Sequence, residues 1–152
     1  MTALGILSII GLAMVAVPTT IALLNITRLP RAPKPGTADP SDLLVSCCIP
    51  ARDEEGNLEA CIRSLLEGGH ENVEILVYDD ESTDRTPEIL ARLASEDPRI
   101  KAVSTHPLPE GWNGKQHACQ RMGEVATGEW MLFTDADVRF ERDWLRRTLA
   151  VV

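Results

Sequence analysis

The sequence predicts an α/β protein, a mainly parallel sheet flanked by helices and preceded by one N-terminal transmembrane helix. Three observations predict it. From residue 43 onward, short apolar runs alternate with segments of helical period, the pattern of β–α–β units. Acidic clusters follow directly on three of those runs, at the strand ends where parallel sheets bind ligands. Residues 3–27 contain no charged side chain at all.

The uncharged run comes first. Some 22 helical residues rise about 33 Å, enough to cross a hydrocarbon core of about 30 Å. The membrane segment is therefore expected over residues 3–25, within an anchor spanning 1–27. Pro18 lies inside it, where a membrane helix tolerates a kink. A cleaved signal peptide is the rival, but it needs a basic leader and a shorter apolar core. Here only Met1 and Thr2 precede the run. Arg28, Arg31 and Lys34 follow it, which places the remaining chain on the cytoplasmic side. Pro30, Pro33, Pro35 and Pro40 make residues 28–42 an extended linker.

The soluble part then reads as strand 43–49, helix 57–67, strand 73–78, helix 86–95, strand 100–103, helix 114–126, strand 130–134, and a helix from 141 onward. Gly68-Gly69 stops the first of these helices, and Pro87 opens the second. No Gly or Pro stop follows Trp144-Leu145-Arg146-Arg147-Thr148-Leu149, so residues 43–152 are expected to be part of a longer domain.

Charge and cysteine content exclude some classes. The chain has 152 residues and a formal net charge of −8. Residues 1–35 hold three cations and no acid, so residues 36–152 carry −11. An acidic body lacks the clustered cations that nucleic acid requires, so no nucleic-acid partner is expected. Cys47, Cys48, Cys61 and Cys119 show no metal or disulfide spacing. They read as buried small residues in a reducing compartment.

The chemistry sits in the strand-end loops. These are Pro50-Ala51-Arg52-Asp53-Glu54-Glu55, Asp79-Asp80-Glu81-Ser82-Thr83-Asp84 and Asp135-Ala136-Asp137. Asp79, Asp80, Asp84, Asp135 and Asp137 converge on one sheet edge. A divalent cation or ligand donors would relieve their repulsion. Hard oxygen ligands suit Mg²⁺ or Mn²⁺, and Asp135 and Asp137 are the candidate metal residues. Asp80 is read as a ligand contact, and Asp84 and Thr86 as caps of the following helix. Lys115 opens a helix, where backbone N–H groups also favour anions; it either holds a diphosphate or is simply solvated. Trp112 either lines a sugar pocket or packs its loop. His70 and His117 read as packing or surface residues. No Ser/His/Asp or Cys/His nucleophile set is present.

Taken in order, Ile49–Leu58, Val77-Tyr78-Asp79-Asp80-Glu81-Ser82-Thr83-Asp84 and Leu132-Phe133-Thr134-Asp135-Ala136-Asp137 resemble the signature loops of the family 2 glycosyltransferases. Pro107-Leu108-Pro109, Gly111-Trp112, Gly114-Lys115 and Ala118 are similar to a membrane-anchored subgroup. That subgroup includes hopanoid-biosynthesis-associated and carotenoid glycosyltransferases and, more distantly, ceramide glucosyltransferase. The resemblance covers about residues 43–150. It implies the GT-A fold, of which this chain holds the Rossmann-like, nucleotide-sugar-binding half. It implies sugar transfer, with inversion and a divalent metal, from a nucleotide-diphosphate sugar, usually UDP-linked, to a lipid or membrane-associated acceptor.

For individual residues, it implies that Pro50, Arg52, Glu54 and Asp80 surround the nucleoside, that Ala51 and Asp79 belong to the same nucleotide-sugar site, that Lys115 lies near the diphosphate or sugar, and that Asp135 and Asp137 serve nucleotide and metal. Glu81 departs from the family's usual Gly, so a different loop is expected there. The family's acidic base and Q-x-x-R-W element would lie beyond Val152, so no base is assigned. Rival readings are a nucleotidyltransferase, which would show a Gly-rich basic first loop, a membrane-tethered binding or scaffold module, and a receiver-type signalling domain.

Overall fold

The computed structural model describes residues 3–28 and 43–149; within the first stretch, side chains are described for Gly5, residues 11–26 and Arg28. Two units result, one ending at Ala32 and one starting at Pro33. The linker expected at 29–42 and the continuation of the last helix past Leu149 lie outside the described residues.

The first unit is a single helix, α1 (Ala3–Arg28). Its 26 residues rise about 39 Å. Pro18 removes one N–H from the helical ladder. Around it, Thr19 Oγ1 donates to the Val15 carbonyl (2.7 Å) and Thr20 Oγ1 to that of Ala16 (2.8 Å). Leu12, Met14, Val15, Val17, Ile21 and Leu23 are all exposed. Among the described residues no helix is long and apolar enough to cross a membrane.

The second unit is the α/β domain. In chain order it comprises β1 (Val45–Ala51), α2 (Leu58–Leu66), β2 (Val73–Asp79), α3 (Thr86–Glu96), β3 (Ile100–Val103), α4 (Gly114–Val125), β4 (Trp130–Phe133) and α5 (Trp144–Leu149). All expected elements form. The sheet is wholly parallel with order β3-β2-β1-β4.

Handedness explains the layers. Two successive right-handed crossovers carry β1 to β2 to β3 in one direction, and α2 and α3 cover one face. The chain then returns past β1 to β4, which puts α4 on the other face. Alternate residues obey this split. Cys47, Ile49, Ile75 and Val77 pack with Leu58, Ile62, Leu65, Leu90 and Leu93, while Cys48, Leu76 and Tyr78 pack with Ala118 and Met122. Burial pushes the Cys47 thiol up to about 12 and those of Cys48 and Cys61 to about 11. All three are therefore protonated packing groups, as the sequence reading held.

Two boundaries differ informatively. β1 continues two residues past Ile49, because its pairing with β2 runs through Pro50↔Tyr78 and Ala51↔Asp79. The last helix starts at Trp144 rather than Glu141, since Asp143 takes a positive φ of 58° and interrupts the turn before it.

The amino ends of the strands are locked by a buried carboxylate. Glu74, 4% exposed, accepts from Ser46 Oγ (2.6 Å), Lys101 Nζ (2.6 Å), Thr127 N (2.6 Å) and Thr127 Oγ1 (2.8 Å). Ser46 Oγ in turn accepts from Gly128 N (2.8 Å). One side chain thus joins β1, β2, β3 and the α4–β4 turn. Gly128 is required here, because a Cβ would lie 2.6 Å from the Ser46 nitrogen and 2.8 Å from the Leu44 carbonyl oxygen.

Burial alone would raise the Glu74 pKa, but the hydrogen bonds from Lys101, Ser46 and Thr127 outweigh it and hold it at about 2, against 4.5 ordinarily. A carboxyl lowered on folding stabilises the fold above its unfolded pKa, and that contribution disappears as pH falls from about 4.5 toward 2. Glu74→Gln, which also turns an N–H₂ toward Lys101, is expected to cost about 2–4 kcal/mol in urea unfolding at pH 7. The gap between variant and parent should narrow below pH 4; a gap that stays constant with pH would refute this account.

Candidate active site at the strand carboxyl ends

β1 and β4 part at their carboxyl ends. Their pairing stops at Cys48↔Phe133, with one last bond from Thr134 N to the Cys48 carbonyl (3.1 Å). Pro50 lies two residues further along β1. It has no N–H to give a neighbour, so proline is tolerable in a central strand only where one partner has already left. The opening is the switch point of the topology, where the chain reverses from β3 to β4.

A cavity of about 350 Å³ occupies it. Pro50 and Ala51 enter it from β1, Arg52 and Glu54 from the loop after it, Asp80 from the loop after β2, and Lys115 and Ala118 from α4. Asp135, Ala136 and Asp137 enter it from the turn after β4. Of the residues expected to bind nucleotide sugar or metal, all line this one space except Asp79, which lines a smaller neighbouring cavity of about 100 Å³ together with Asp80, Tyr78 and His106.

The five strand-end carboxylates do not act alike. Asp79 Oδ1 accepts from Ser82 N (3.2 Å) and so closes the turn. Asp80 faces the Arg52 guanidinium at 3.6 Å, its own N–H held by the Ala51 carbonyl (2.8 Å). Asp135 pairs with Lys115 Nζ at 2.5 Å, an ion pair that pushes the lysine pKa up and keeps it cationic.

Asp84 has left the site. Its Oδ1 accepts from Thr86 N (2.9 Å), a short local turn into α3, while Arg85 holds the cap position itself. Its Oδ2 accepts from Glu55 N (2.9 Å). Thr86, expected as a cap, is instead wholly buried and accepts from Glu54 N (2.8 Å). With Asp53 N donating to Ser82 Oγ (2.9 Å) and Thr83 N to Asp53 Oδ1 (2.7 Å), the loops after β1 and β2 are laced into one rigid rim.

Several positions lie outside what the sequence reading assigned to the site. Gly114, the first residue of α4, abuts Asp80: a Cβ there would lie 3.1 Å from the Asp80 Cγ and closer still to its Oδ2. Ala136, 1% exposed, lets the Asp135–Asp137 turn sit against the sheet. Arg139 braces that turn through the Ala136 carbonyl (3.3 Å) and reaches Asn57 Oδ1 (3.2 Å); Asn57 Nδ2 in turn holds Glu54 Oε2 (2.9 Å). The sequence signal for Gly114 was its place at a helix start after Asn113, which caps α4 by accepting from Gln116 N (2.8 Å). Arg139 carries no such signal.

Trp112 stands edge-on to His117, and His117 edge-on to Tyr78; Trp112 lines neither the 350 Å³ cavity nor its 100 Å³ neighbour. His117 is buried. His70 is also buried, with Nε2 against the Leu43 carbonyl oxygen (2.8 Å).

Among the described residues no group of three or more His, Cys, Asp or Glu could hold a metal alone. Two carboxylates on one turn nevertheless fit Mg²⁺ or Mn²⁺, which keep waters and rely on one or two carboxylates together with substrate phosphates.

Sheet, crossovers and crevice define the class, a doubly wound α/β domain of the kind that takes ligands at the strand carboxyl ends. The model of glycosyl transferase family 2 matches residues 46–152, and the chain belongs to that family. It is 32% identical over 99 residues to 4,4'-diaponeurosporenoate glycosyltransferase of Staphylococcus haemolyticus, covering 65% of this chain and 25% of that protein. It is 33% identical over 103 residues to beta-monoglucosyldiacylglycerol synthase of Nostoc sp., covering 66% and 22% respectively. The chain thus spans about a quarter of the length of these two curated relatives. A mannosyltransferase of Pyrobaculum calidifontis, solved with GDP-Man and Mn²⁺, shares the fold at TM-score 0.67 and 24% identity, over 91% of this chain and 41% of that one.

Glu81 adopts φ 55°, the left-handed conformation that glycine takes freely and that costs other residues about 1–2 kcal/mol. The strain is carried by this turn. Glu81→Gly is expected to stabilise the fold by about 0.5–1 kcal/mol in urea unfolding, the relief being partly offset by the greater freedom of glycine in the unfolded chain. An unchanged or lower midpoint would show that the glutamate side chain compensates its backbone.

Proposed function

We propose that this chain is the donor-binding half of an inverting, metal-dependent glycosyltransferase. On this reading it binds a UDP-linked sugar for transfer to a lipid or membrane-associated acceptor. The observation that carries the reading is the single cavity shared by Arg52, Asp80, Lys115, Asp135 and Asp137. Relatives named for a carotenoid-type acid and for a glucosyldiacylglycerol support the lipid acceptor and the membrane-anchored subgroup.

Asp80, fixed beside Arg52, accepts hydrogen bonds from the nucleoside. Lys115 already meets a carboxylate at the mouth of the cavity. Offered a diphosphate, its ammonium lies where negative charge builds on the leaving group, and such placed charge is the main catalytic resource of sites of this kind. Asp135 and Asp137 would hold Mg²⁺ or Mn²⁺, which when bound supplies further positive charge against the diphosphate. The rigid rim formed by the first two loops keeps these groups placed before ligand arrives. α1, with no cation before Arg28, serves as the anchor that holds the domain on the cytoplasmic side, beside its acceptor.

Calorimetric titration of UDP into the full chain in detergent, with and without Mn²⁺, tests the reading. Affinity is expected to rise about tenfold or more with Mn²⁺, and Asp137→Ala to abolish that gain. A gain that survives in the variant would reject the metal role of Asp137, and no UDP binding at all would reject the reading. Gly114→Ala, which displaces the Asp80 carboxylate, is expected to weaken UDP about threefold to tenfold while leaving the urea midpoint in place. Unaltered affinity would remove Asp80 from the nucleoside contacts.

A further inference from the structure

Between β3 and α4 the chain passes through residues 104–113, which form neither helix nor strand. This loop decides where α4 begins. It therefore decides how Gly114 meets Asp80 and where Lys115 enters the crevice. Among the described residues, the hydrogen bonds that tie residues 105–112 to other elements all belong to His106. Its N–H donates to the buried Tyr78 Oη (3.1 Å), and the Tyr78 hydroxyl donates to its carbonyl oxygen (3.3 Å). The edge-on contact of Trp112 with His117 adds a ring contact near the other end of the loop.

The imidazole of His106 makes the more selective contacts. Nδ1 lies 3.0 Å from the Ser104 carbonyl oxygen, and Nε2 lies 3.1 Å from Arg121 Nη2 on α4. A carbonyl oxygen only accepts and a guanidinium only donates. Both contacts are hydrogen bonds in one state alone, the neutral ring that carries its proton on Nδ1. Arg121 is itself held in place. Its Nη1 donates to Glu124, and its Nε, buried, has no partner among the described residues. Nη2 is thus the atom that α4 holds out to the loop.

We infer that His106 is a positioning residue for the donor site: as the neutral Nδ1–H tautomer it clasps Arg121 and fixes the loop that sets Gly114 and Lys115 in place. The inference rests on the proposed nucleotide reading. His106 stands outside the 350 Å³ cavity and acts on it through the loop. With Gly114 it also walls the 100 Å³ cavity beside Asp80, so a shift of the loop is felt at that carboxylate. The clasp joins groups at the surface, so it contributes little to global stability. Its effect falls on binding instead. An unclasped loop samples other positions, and a ligand then bears the cost of ordering it.

The experiment uses the full chain in detergent. The histidine ring nitrogens are recorded by ¹⁵N NMR; the chain has three histidines, and the signals lost in His106→Gln belong to His106. UDP affinity with Mn²⁺ is taken by calorimetry, and the midpoint of urea unfolding is measured, for the parent, His106→Gln, His106→Leu, Arg121→Leu and the double leucine variant. The expected ring signature is a protonated Nδ1 beside an unprotonated Nε2. Each leucine variant is expected to weaken UDP about fivefold at an unchanged urea midpoint, and the double variant by no more than either alone. His106→Gln, which keeps an oxygen acceptor for Arg121, is expected to bind UDP within about twofold of the parent. A protonated Nε2, additive losses in the double variant, a glutamine no better than leucine, or a midpoint that moves while affinity does not would each overturn the positioning role. UDP binding by the parent would leave the nucleotide reading standing in all four cases. If the parent binds no UDP, that reading fails and the positioning role fails with it.

Discussion

The handedness of the crossovers decides where this protein can bind anything. Each strand–helix–strand step must turn right-handed, so a sheet that grows outward from β1 through β2 to β3 carries α2 and α3 on one face. To add β4 on the free edge of β1 the chain must reverse, and α4 crosses the opposite face. The reversal leaves β1 with neighbours whose following loops diverge in opposite directions. The crevice between them is a consequence of topology, before any side chain is chosen. Pro50 widens it by ending what β1 can offer to β4.

The side chains then divide the labour between the two ends of the strands. At the amino ends, Glu74 is buried and saturated with donors from three other segments. At the carboxyl ends, Asp80 faces its cation at 3.6 Å and Asp135 remains more than half exposed. Buried, fully bonded carboxylates stabilise; exposed, loosely paired ones are free to change partners. A ligand that brings phosphate and metal can displace the pairing of Lys115 with Asp135 without unlocking the fold, because the fold is locked at the other end.

Much of this was legible in the sequence. The strands announce themselves as apolar runs, and parallel topology requires that their following loops share an edge, so residues as distant as Arg52, Asp80, Lys115 and Asp137 could be grouped from order alone. What was not legible depended on contacts across the fold. Glu74 reads as an ordinary polar interruption in a strand, and only the register that places it between Ser46 and Lys101 makes it a keystone. Thr86 reads as a cap, since its type favours helix starts; its burial against the β1 loop sends its hydroxyl to Glu54 instead. Five acidic residues read as a single cluster, yet Asp84 and Asp79 are consumed by turns. Glu81 shows the reverse case, in which residue preference argues against a positive φ and the surrounding lacing imposes one.

That lacing explains why a strained residue is tolerable beside a binding crevice. The loop after β2 is bonded to the loop after β1 at Asp53, Glu54 and Glu55, and a glutamate with φ 55° sits within it. Relaxing Glu81 alone would break bonds on both loops and pull Asp80 away from Arg52. The cost of one left-handed residue, about 1–2 kcal/mol, is smaller than the combined loss of these three hydrogen bonds, of which that of Glu54 is part-buried, at about 1 kcal/mol each. The conformation therefore persists because the rim over-determines it. The same over-determination makes the rim a fixed wall of the crevice.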